Sequence, residues 1–146
     1  MAITYYSEAV KMPPIKKRLT TKWILEIARQ HGKRVGEISY LFCDDYKILE
    51  TNKQFLQHDY YTDIITFDYN TGDLIAGDIL ISVDTVMSNS AQFNTDFNEE
   101  IHRIIIHGIL HLCGLEDKKP DDKAQMTAAE NEALQLLKDM TKEENA

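Results

Sequence analysis

Three side chains between residues 107 and 117 have types and a spacing that suit a metal ion. Histidines four residues apart lie on one face of a helix, so the imidazoles of His107 and His111 can reach one ion at about 2 Å from each ring nitrogen. Gly114 favours a sharp turn after that helix, which lets the carboxylate of Asp117 approach as a third ligand. A fourth position stays open for water, as in catalytic rather than structural zinc sites.

A divalent cation held in this way would lower the pKa of bound water from about 15.7 toward 7 and supply hydroxide at neutral pH. The ligand set predicts one Zn²⁺ per chain, although two imidazoles and a carboxylate also suit manganese, nickel or ferrous iron. Two histidines on an apolar helix can instead be satisfied core residues, and the glycine and carboxylate that follow weaken that alternative. Cys113 lies roughly 140° round the helix from the pair and is expected to be a small buried residue.

The same helix carries other polar residues near the two histidines. His102 falls toward the opposite face and is not expected to be a ligand. Glu100 and Arg103 share the face of His107 and could orient the imidazoles by hydrogen bonds, or could only solvate the start of the helix. Zinc peptidases place a glutamate directly after the first histidine as general base, whereas this chain has Gly108 there. The spacing is therefore zincin-like but argues against proteolysis and favours another hydrolysis.

Three segments follow the pattern of a known family: His107-Gly108-x-Leu110-His111-Leu112-x-Gly114, the stretch from Asn52 to Phe67, and Gly77-Asp78-Ile79-x-Ile81-Ser82. In content, order and spacing they resemble the YbeY family of bacterial metal-dependent endoribonucleases, which take part in rRNA maturation and ribosome quality control. The resemblance spans roughly residues 40 to 140 and implies one hydrolase domain over residues 1–146.

The resemblance implies a zinc-dependent endoribonuclease specific for single strands, with rRNA or a ribosomal subunit as partner, and neither DNA nor a membrane. The family's third ligand is normally a histidine, and Asp117 occupies that position here. Where the family tends to carry an arginine this chain has Leu56, and where it tends to carry Tyr-Asp this chain has Leu115-Glu116. Less positive charge is then available to neutralise a phosphate, although His58 could replace part of it.

The motifs contain no obvious general base. Candidates by proximity to the motifs are Glu116, Asp78 and Asp59. Two alternative functions stay open: an RNA-binding factor for ribosome assembly with weak or no nuclease activity, and a metal-dependent hydrolase of another substrate. A ferrous oxygenase is less favoured, because its two histidines and carboxylate usually sit on strands and include an H-x-D pair.

The charge is unevenly distributed along the chain. Sixteen lysines and arginines against 24 acidic residues give a net charge of −8, which by itself discourages binding to a polyanion. Up to Arg34, however, eight basic residues stand against two acidic ones. A basic end of this kind can follow a phosphate backbone, or can simply be a solvated helix face. The residues assigned to RNA binding are Lys16, Lys17, Arg18, Lys22, Lys33 and Arg34.

Composition and hydrophobic periodicity predict the fold. A chain of 146 residues, 43% of them hydrophobic, suits one domain. It contains neither an apolar run of about 18 residues nor a secretory signal, so a cytoplasmic protein with reduced thiols is expected. The pattern predicts an α+β fold of the α/β type, in which helices cover an approximately four-stranded mixed sheet and the metal-binding helix lines a cleft. Strands are expected at 3–6, 37–43, 64–69 and 74–82, and helices at 20–31, 44–56, 83–93, after Asp96, and at 120–140 with a frayed tail.

Overall fold

Strands and helices alternate in the first half of the chain, and three successive helices end it. The computed structural model describes residues 2–56 and 62–145. The strands are β1 (Ala2–Ser7), β2 (Arg34–Cys43), β3 (Ile64–Asp68) and β4 (Leu74–Ser82). The helices are α1 (Lys17–Gln30), α2 (Asp45–Thr51, continued by a π-helical turn over Asn52–Leu56), α3 (Val83–Gln92), α4 (Phe97–Leu112) and α5 (Pro120–Asn145). These elements confirm the predicted α+β class.

The four strands form one mixed sheet in the order β1-β2-β4-β3. β1, β2 and β4 are parallel, and β3 runs antiparallel to β4. The turn between β3 and β4 contains Gly72 at a φ of 59°, a left-handed conformation that glycine adopts without steric cost. The predicted hairpin and the four-stranded mixed sheet are therefore confirmed.

Each face of the sheet packs against a different group of helices. Trp23 of α1, Ile105 of α4 and Leu134 of α5 belong to the main buried cluster, together with Ile79 of β4. The next residue of β4, Leu80, belongs to a smaller cluster on the opposite face, which includes Ile48 of α2. Since side chains of a strand alternate between the two faces, odd-numbered residues of β4 point toward α4 and even-numbered ones point away.

Both ends of α4 have defined caps, which fix the position of the motif. At the start, the Asp96 carboxylate accepts a hydrogen bond from the backbone N–H of Glu99 at 3.1 Å. At the end, Gly114 has a φ of 108° and donates its N–H to the carbonyl of His111, while Leu115 donates to Leu110. This pair of bonds is a Schellman motif, which turns the chain back along the helix toward Asp117.

The amide of Asn70 joins the β3-β4 hairpin to the end of α4. Its Nδ2 donates to the carbonyl of Leu112 at 2.8 Å, and its Oδ1 accepts from the N–H of Ala76 at 2.9 Å. The hairpin residue therefore satisfies one of the carbonyls that a helix leaves unpaired at its C-terminus, and holds the end of α4 against the sheet.

The last helix is longer than its sequence pattern predicts. The expectation of a frayed tail from Thr141 was wrong, because α5 continues to Asn145. Leu137 and Met140 pack against the main cluster, and the lysines and glutamates beyond them have good helix propensity. Within residues 2–56 and 62–145, no helix combines the length and the apolar character needed to cross a membrane.

Gly77 lies where β3 and β4 approach too closely for a side chain. A Cβ at this position would overlap the carbonyl oxygen of Phe67, which belongs to the backbone of β3 and cannot move without separating the strands. We expect Gly77→Ala to destabilise the protein by about 3 kcal/mol, at the upper end of the usual cost of overpacking. Thermal unfolding would measure the loss. Gly72→Asn is the control, since asparagine tolerates the left-handed conformation and nothing lies near Gly72, and an equal loss in both variants would contradict the explanation.

Candidate metal centre

His107 lies on α4 with a carboxylate at each of its ring nitrogens. Its Nδ1 is 2.7 Å from Oε2 of Glu130 on α5, and its Nε2 is 3.3 Å from Oδ2 of Asp117. Asp117 follows the turn at Gly114, as the sequence predicts. The imidazole is therefore held between α5 and the segment that follows α4.

Glu130 is itself fixed by a second ion pair. It is 7% exposed, and its Oε1 accepts from Nη1 of Arg103 at 3.0 Å. Arg103 also donates through Nη2 to the side-chain oxygen of Asn131 at 2.9 Å. A guanidinium can only donate, and a carboxylate that takes its hydrogen bond on one oxygen accepts a second one from His107 on the other. The proton of the neutral imidazole thus lies on Nδ1, and Nε2 carries a free lone pair.

The surroundings of His107 are strongly acidic. Burial by itself lowers its pKa, but the hydrogen bond and charge of Glu130, together with the charges of Asp117 and Asp63, outweigh burial and raise it. Burial also raises the pKa of Asp63, partly offset by the charge of His107. Three carboxylates around one imidazole attract a cation, which can be a proton on Nε2 or a metal ion.

The distance between Nε2 of His107 and Oδ2 of Asp117 fits a shared metal ion. Two ligand atoms bound tetrahedrally at 2.0 to 2.2 Å are separated by about 3.3 to 3.6 Å, and the observed separation is 3.3 Å. With the imidazole proton on Nδ1, the two atoms face each other as lone-pair donors, an arrangement that a cation between them would stabilise. An imidazole nitrogen and a carboxylate oxygen are ordinary ligands of zinc and of other divalent metals.

His111 lies one helical turn after His107, on the same face, and its side chain is exposed. In the described part of the chain, no group of three or more histidine, cysteine, aspartate or glutamate side chains is arranged to hold a metal ion. The structure thus brings His107 and Asp117 together, while His111 is close along the helix but does not complete a three-ligand group.

Known proteins are similar to this chain in sequence and in fold. A family model described as Endoribonuclease YbeY matches residues 3–138. The chain belongs to the YbeY family. A Bacteroides fragilis relative named Endoribonuclease YbeY is 62% identical over 138 residues, which cover 94% of this chain and 99% of the relative. A Phocaeicola vulgatus relative of the same name is 63% identical over 135 residues, covering 92% and 98% of the two chains.

A solved structure has the same fold at low sequence identity. The solution structure of a Thermotoga maritima protein superposes with a TM-score of 0.67 at 24% identity and covers 93% of this chain and 89% of that one. The YbeY resemblance inferred from the three motifs is confirmed by the family model and by the relatives.

The structure also locates the candidate bases that the YbeY motifs suggested. Glu116 is exposed, beside Asp117 in the segment after α4. Asp78 is an even-numbered residue of β4, and it accepts a hydrogen bond from Ser39 on the face opposite α4. The prediction that Asp78 acts as a base beside His107 therefore needs correction, because the sheet lies between Asp78 and α4. Asp59 and His58 lie outside the described residues.

Two acidic residues near His107 escaped the sequence reasoning. Asp63 directly precedes β3 and lies inside the stretch from Asn52 to Phe67 that resembles the YbeY pattern. That position could have marked it as a candidate site residue. Glu130 is one of several acidic residues on α5, and nothing in its neighbourhood along the chain distinguishes it. Its burial and its contact with His107 arise only when α5 packs against α4.

Cys113 is buried, as the sequence predicts, and is not paired with Cys43. Burial raises the pKa of its thiol to about 11, although the charge of Lys33 lowers it somewhat. Cys113 packs within the main buried cluster and serves as a small core residue. The influence of Lys33 also places this lysine near the end of the YbeY motif.

The six residues assigned to RNA binding form two groups rather than one. Lys16, Lys17, Arg18 and Lys22 lie at the start of α1, whereas Lys33 and Arg34 follow its end, about 20 Å away by the rise of a helix. Arg34 is paired with Asp73, with Nη2 and Oδ1 2.8 Å apart. The second group thus contains one lysine near the motif and one neutralised arginine.

Proposed function

We propose that this protein is a zinc-dependent endoribonuclease that cuts single-stranded RNA in the cytoplasm during rRNA maturation and ribosome quality control. The observation that carries the proposal is the pairing of His107 with Asp117, at ligand spacing and in an acidic environment, within a member of the YbeY family. The relatives carry the name endoribonuclease, and RNA is the substrate that name implies.

Three residues would hold the ion in this proposal: His107 through Nε2, Asp117 through its carboxylate, and His111 after a change of side-chain rotamer. When bound, a divalent metal polarises a phosphoryl oxygen and lowers the pKa of water. Glu130 keeps the proton of His107 on Nδ1, so that Nε2 remains available. Asp117 in place of histidine adds a negative charge, which lowers the Lewis acidity of the site relative to three histidines.

Asp63 is the general base that we propose in place of Asp78. It lies close enough to His107 for their charges to interact, and burial raises its pKa, which makes the carboxylate a better proton acceptor than an exposed aspartate. It would take the proton of the attacking water. Glu116, which follows the motif along the chain, remains the alternative general base.

Positive charge for the phosphate backbone would come from the two basic groups at the two ends of α1. Lys33 lies close enough to Cys113 for its charge to lower the pKa of that thiol, which places it near the motif. Leu56 is 39% exposed at the end of the π-helical turn, where the family pattern tends to have an arginine. The leucine in place of arginine favours a second candidate function, that of an rRNA-binding assembly factor with weak nuclease activity.

Removal of the metal tests the proposal and separates the two candidates. We expect dialysis against a chelator to reduce cleavage of single-stranded RNA at least about 100-fold, since metal catalysis contributes several kcal/mol and each 1.4 kcal/mol is tenfold in rate. Addition of zinc, manganese, nickel or ferrous iron in turn, followed by elemental analysis, identifies the metal. Duplex RNA and single-stranded DNA are the control substrates. Tight RNA binding without cleavage under every metal would favour the assembly factor.

A further inference from the structure

A cavity of about 620 Å³ lies at the opposite end of the helical layer from the end of α4. It is bounded by the starts of α1 and α4 and by the last turns of α5. Its lining includes Leu19, Thr20, His102, Leu134 and Leu137. His102 precedes His107 by five residues, roughly 8 Å along the helix and on another face, so the cavity is separate from the candidate metal centre. Its volume is typical of sites for small molecules.

Two buried side chains in this cavity have hydrogen-bonding capacity that no described residue uses. Thr20 is 1% and His102 is 9% exposed. His102 makes one hydrogen bond, from Nδ1 to the carbonyl of Asn98 at 2.6 Å, which leaves Nε2 as an acceptor, and the Thr20 hydroxyl has no partner in the described part of the chain. Within the same part, every polar side-chain atom that is closed off from solvent has a hydrogen-bond partner. Neither atom is therefore closed off completely, and the cavity is a space that both residues line.

The rim of the cavity has the charge of an anion site. α1 begins at Lys17 without a side-chain cap and without an acidic residue in its first turn, so its N–H groups and the positive end of its dipole are not neutralised. Lys16, Lys138 and Lys142 line the same cavity. Two acidic residues share this lining. Glu99 lies 3.6 Å from Lys138, so these two charges offset each other, and Asp96 is directed to its capping bond with α4, which leaves Lys16 and Lys142 for an anion.

We propose that this cavity binds one nucleotide, with its phosphate at the start of α1 beside Lys16 and its sugar and base over the leucines, within hydrogen-bonding reach of Thr20 and His102. A leucine-lined floor suits the flat apolar face of a base, and a sugar hydroxyl or base N–H can donate to Nε2 of His102. The choice of a nucleotide over other anions rests on the proposed action on RNA. The nucleotide can be free or part of a strand.

Titration of the metal-loaded protein with UMP, inorganic phosphate and uridine, followed by calorimetry and amide NMR, tests the site. We expect saturable binding of UMP at one site per chain, at least about tenfold tighter than phosphate or uridine. Phosphate lacks the hydrogen bonds of the sugar and base, and uridine lacks those of the phosphate. Amide shifts are expected at the starts of α1 and α4 and the end of α5. A 2′-O-methyl hexauridylate distinguishes the sources: tighter binding than UMP indicates a strand, and weaker binding a free nucleotide.

Matched variants locate the binding. Thr20→Val keeps the size of the side chain and is expected to weaken UMP binding roughly 3- to 10-fold, the effect of one hydrogen bond. Lys16→Gln should weaken UMP and phosphate alike, and Leu137→Trp should fill the cavity and abolish binding. Lys123→Gln, an exposed lysine of α5 outside the cavity, is the control.

Three outcomes would overturn the inference: no saturable binding of any probe, equal binding of phosphate and UMP, or UMP binding that Thr20→Val and Leu137→Trp leave unchanged. The metal mechanism is tested independently. A protein that binds UMP here but cuts no RNA would refute the proposed function alone, and a protein that cuts RNA but binds no nucleotide here would refute this inference alone.

Discussion

His107→Ala is expected to lower kcat/KM for single-stranded RNA at least about 1000-fold, a loss of roughly 4 kcal/mol of transition-state stabilisation. The physical reason is that Nε2 of His107 already faces Asp117 Oδ2 at ligand spacing, while Nδ1 is hydrogen-bonded to Glu130 on the other side of the ring. The substitution removes this ligand and leaves three carboxylates, Glu130, Asp117 and Asp63, without the imidazole between them. Metal content after purification should fall together with activity.

His111→Ala gives the sharper version of this test. The side chain of His111 is exposed, so its removal should cost little stability. We nevertheless expect a similar loss of cleavage and a weaker affinity for the metal. His31→Ala, which removes another exposed imidazole at the end of α1, is the matched control and should leave both unchanged. Full activity in His107→Ala and His111→Ala would show that the chemistry takes place elsewhere.

Glu130→Gln is expected to weaken metal binding about 10- to 100-fold, the usual effect of losing a partner that orients a histidine ligand. In the native protein the carboxylate accepts hydrogen bonds from both Arg103 and His107. A glutamine has one oxygen, and Arg103, which can only donate, requires it. The amide nitrogen must then face Nδ1 of His107. The neutral imidazole would move its proton to Nε2, where it blocks the metal.

Three measurements separate this effect from general damage at Glu130. Competition with a chromophoric chelator gives the metal affinity, ¹⁵N NMR of the imidazole gives the position of the proton, and thermal unfolding gives the stability. We expect the apo-protein to lose about 1 to 3 kcal/mol, because one buried donor is poorly satisfied. Glu132→Gln, an exposed carboxylate on the same helix, is the control. An unchanged proton position with normal metal affinity would refute the positioning role of Glu130.

The sequence contained most of the information about α4. The spacing of His107 and His111, the cap at Asp96 and the turn at Gly114 are local features, because helix periodicity and capping bonds involve residues a few positions apart. For the same reason the strands, the hairpin and the family resemblance could be predicted. Asp117 could be placed beside the motif because only a short turn separates it from the helix.

The tertiary structure alone decided which other residues meet at the site. Glu130 is 23 positions from His107 along the chain, and it becomes the partner of Nδ1 only because α5 packs against α4. Asp78 stands within a family motif, yet strand alternation and the order of the strands put it on the far side of the sheet. The cavity at Thr20 and His102 arises between three helices. Local bonds are encoded by neighbouring residues, whereas burial and charge at a site depend on which faces of distant elements come together.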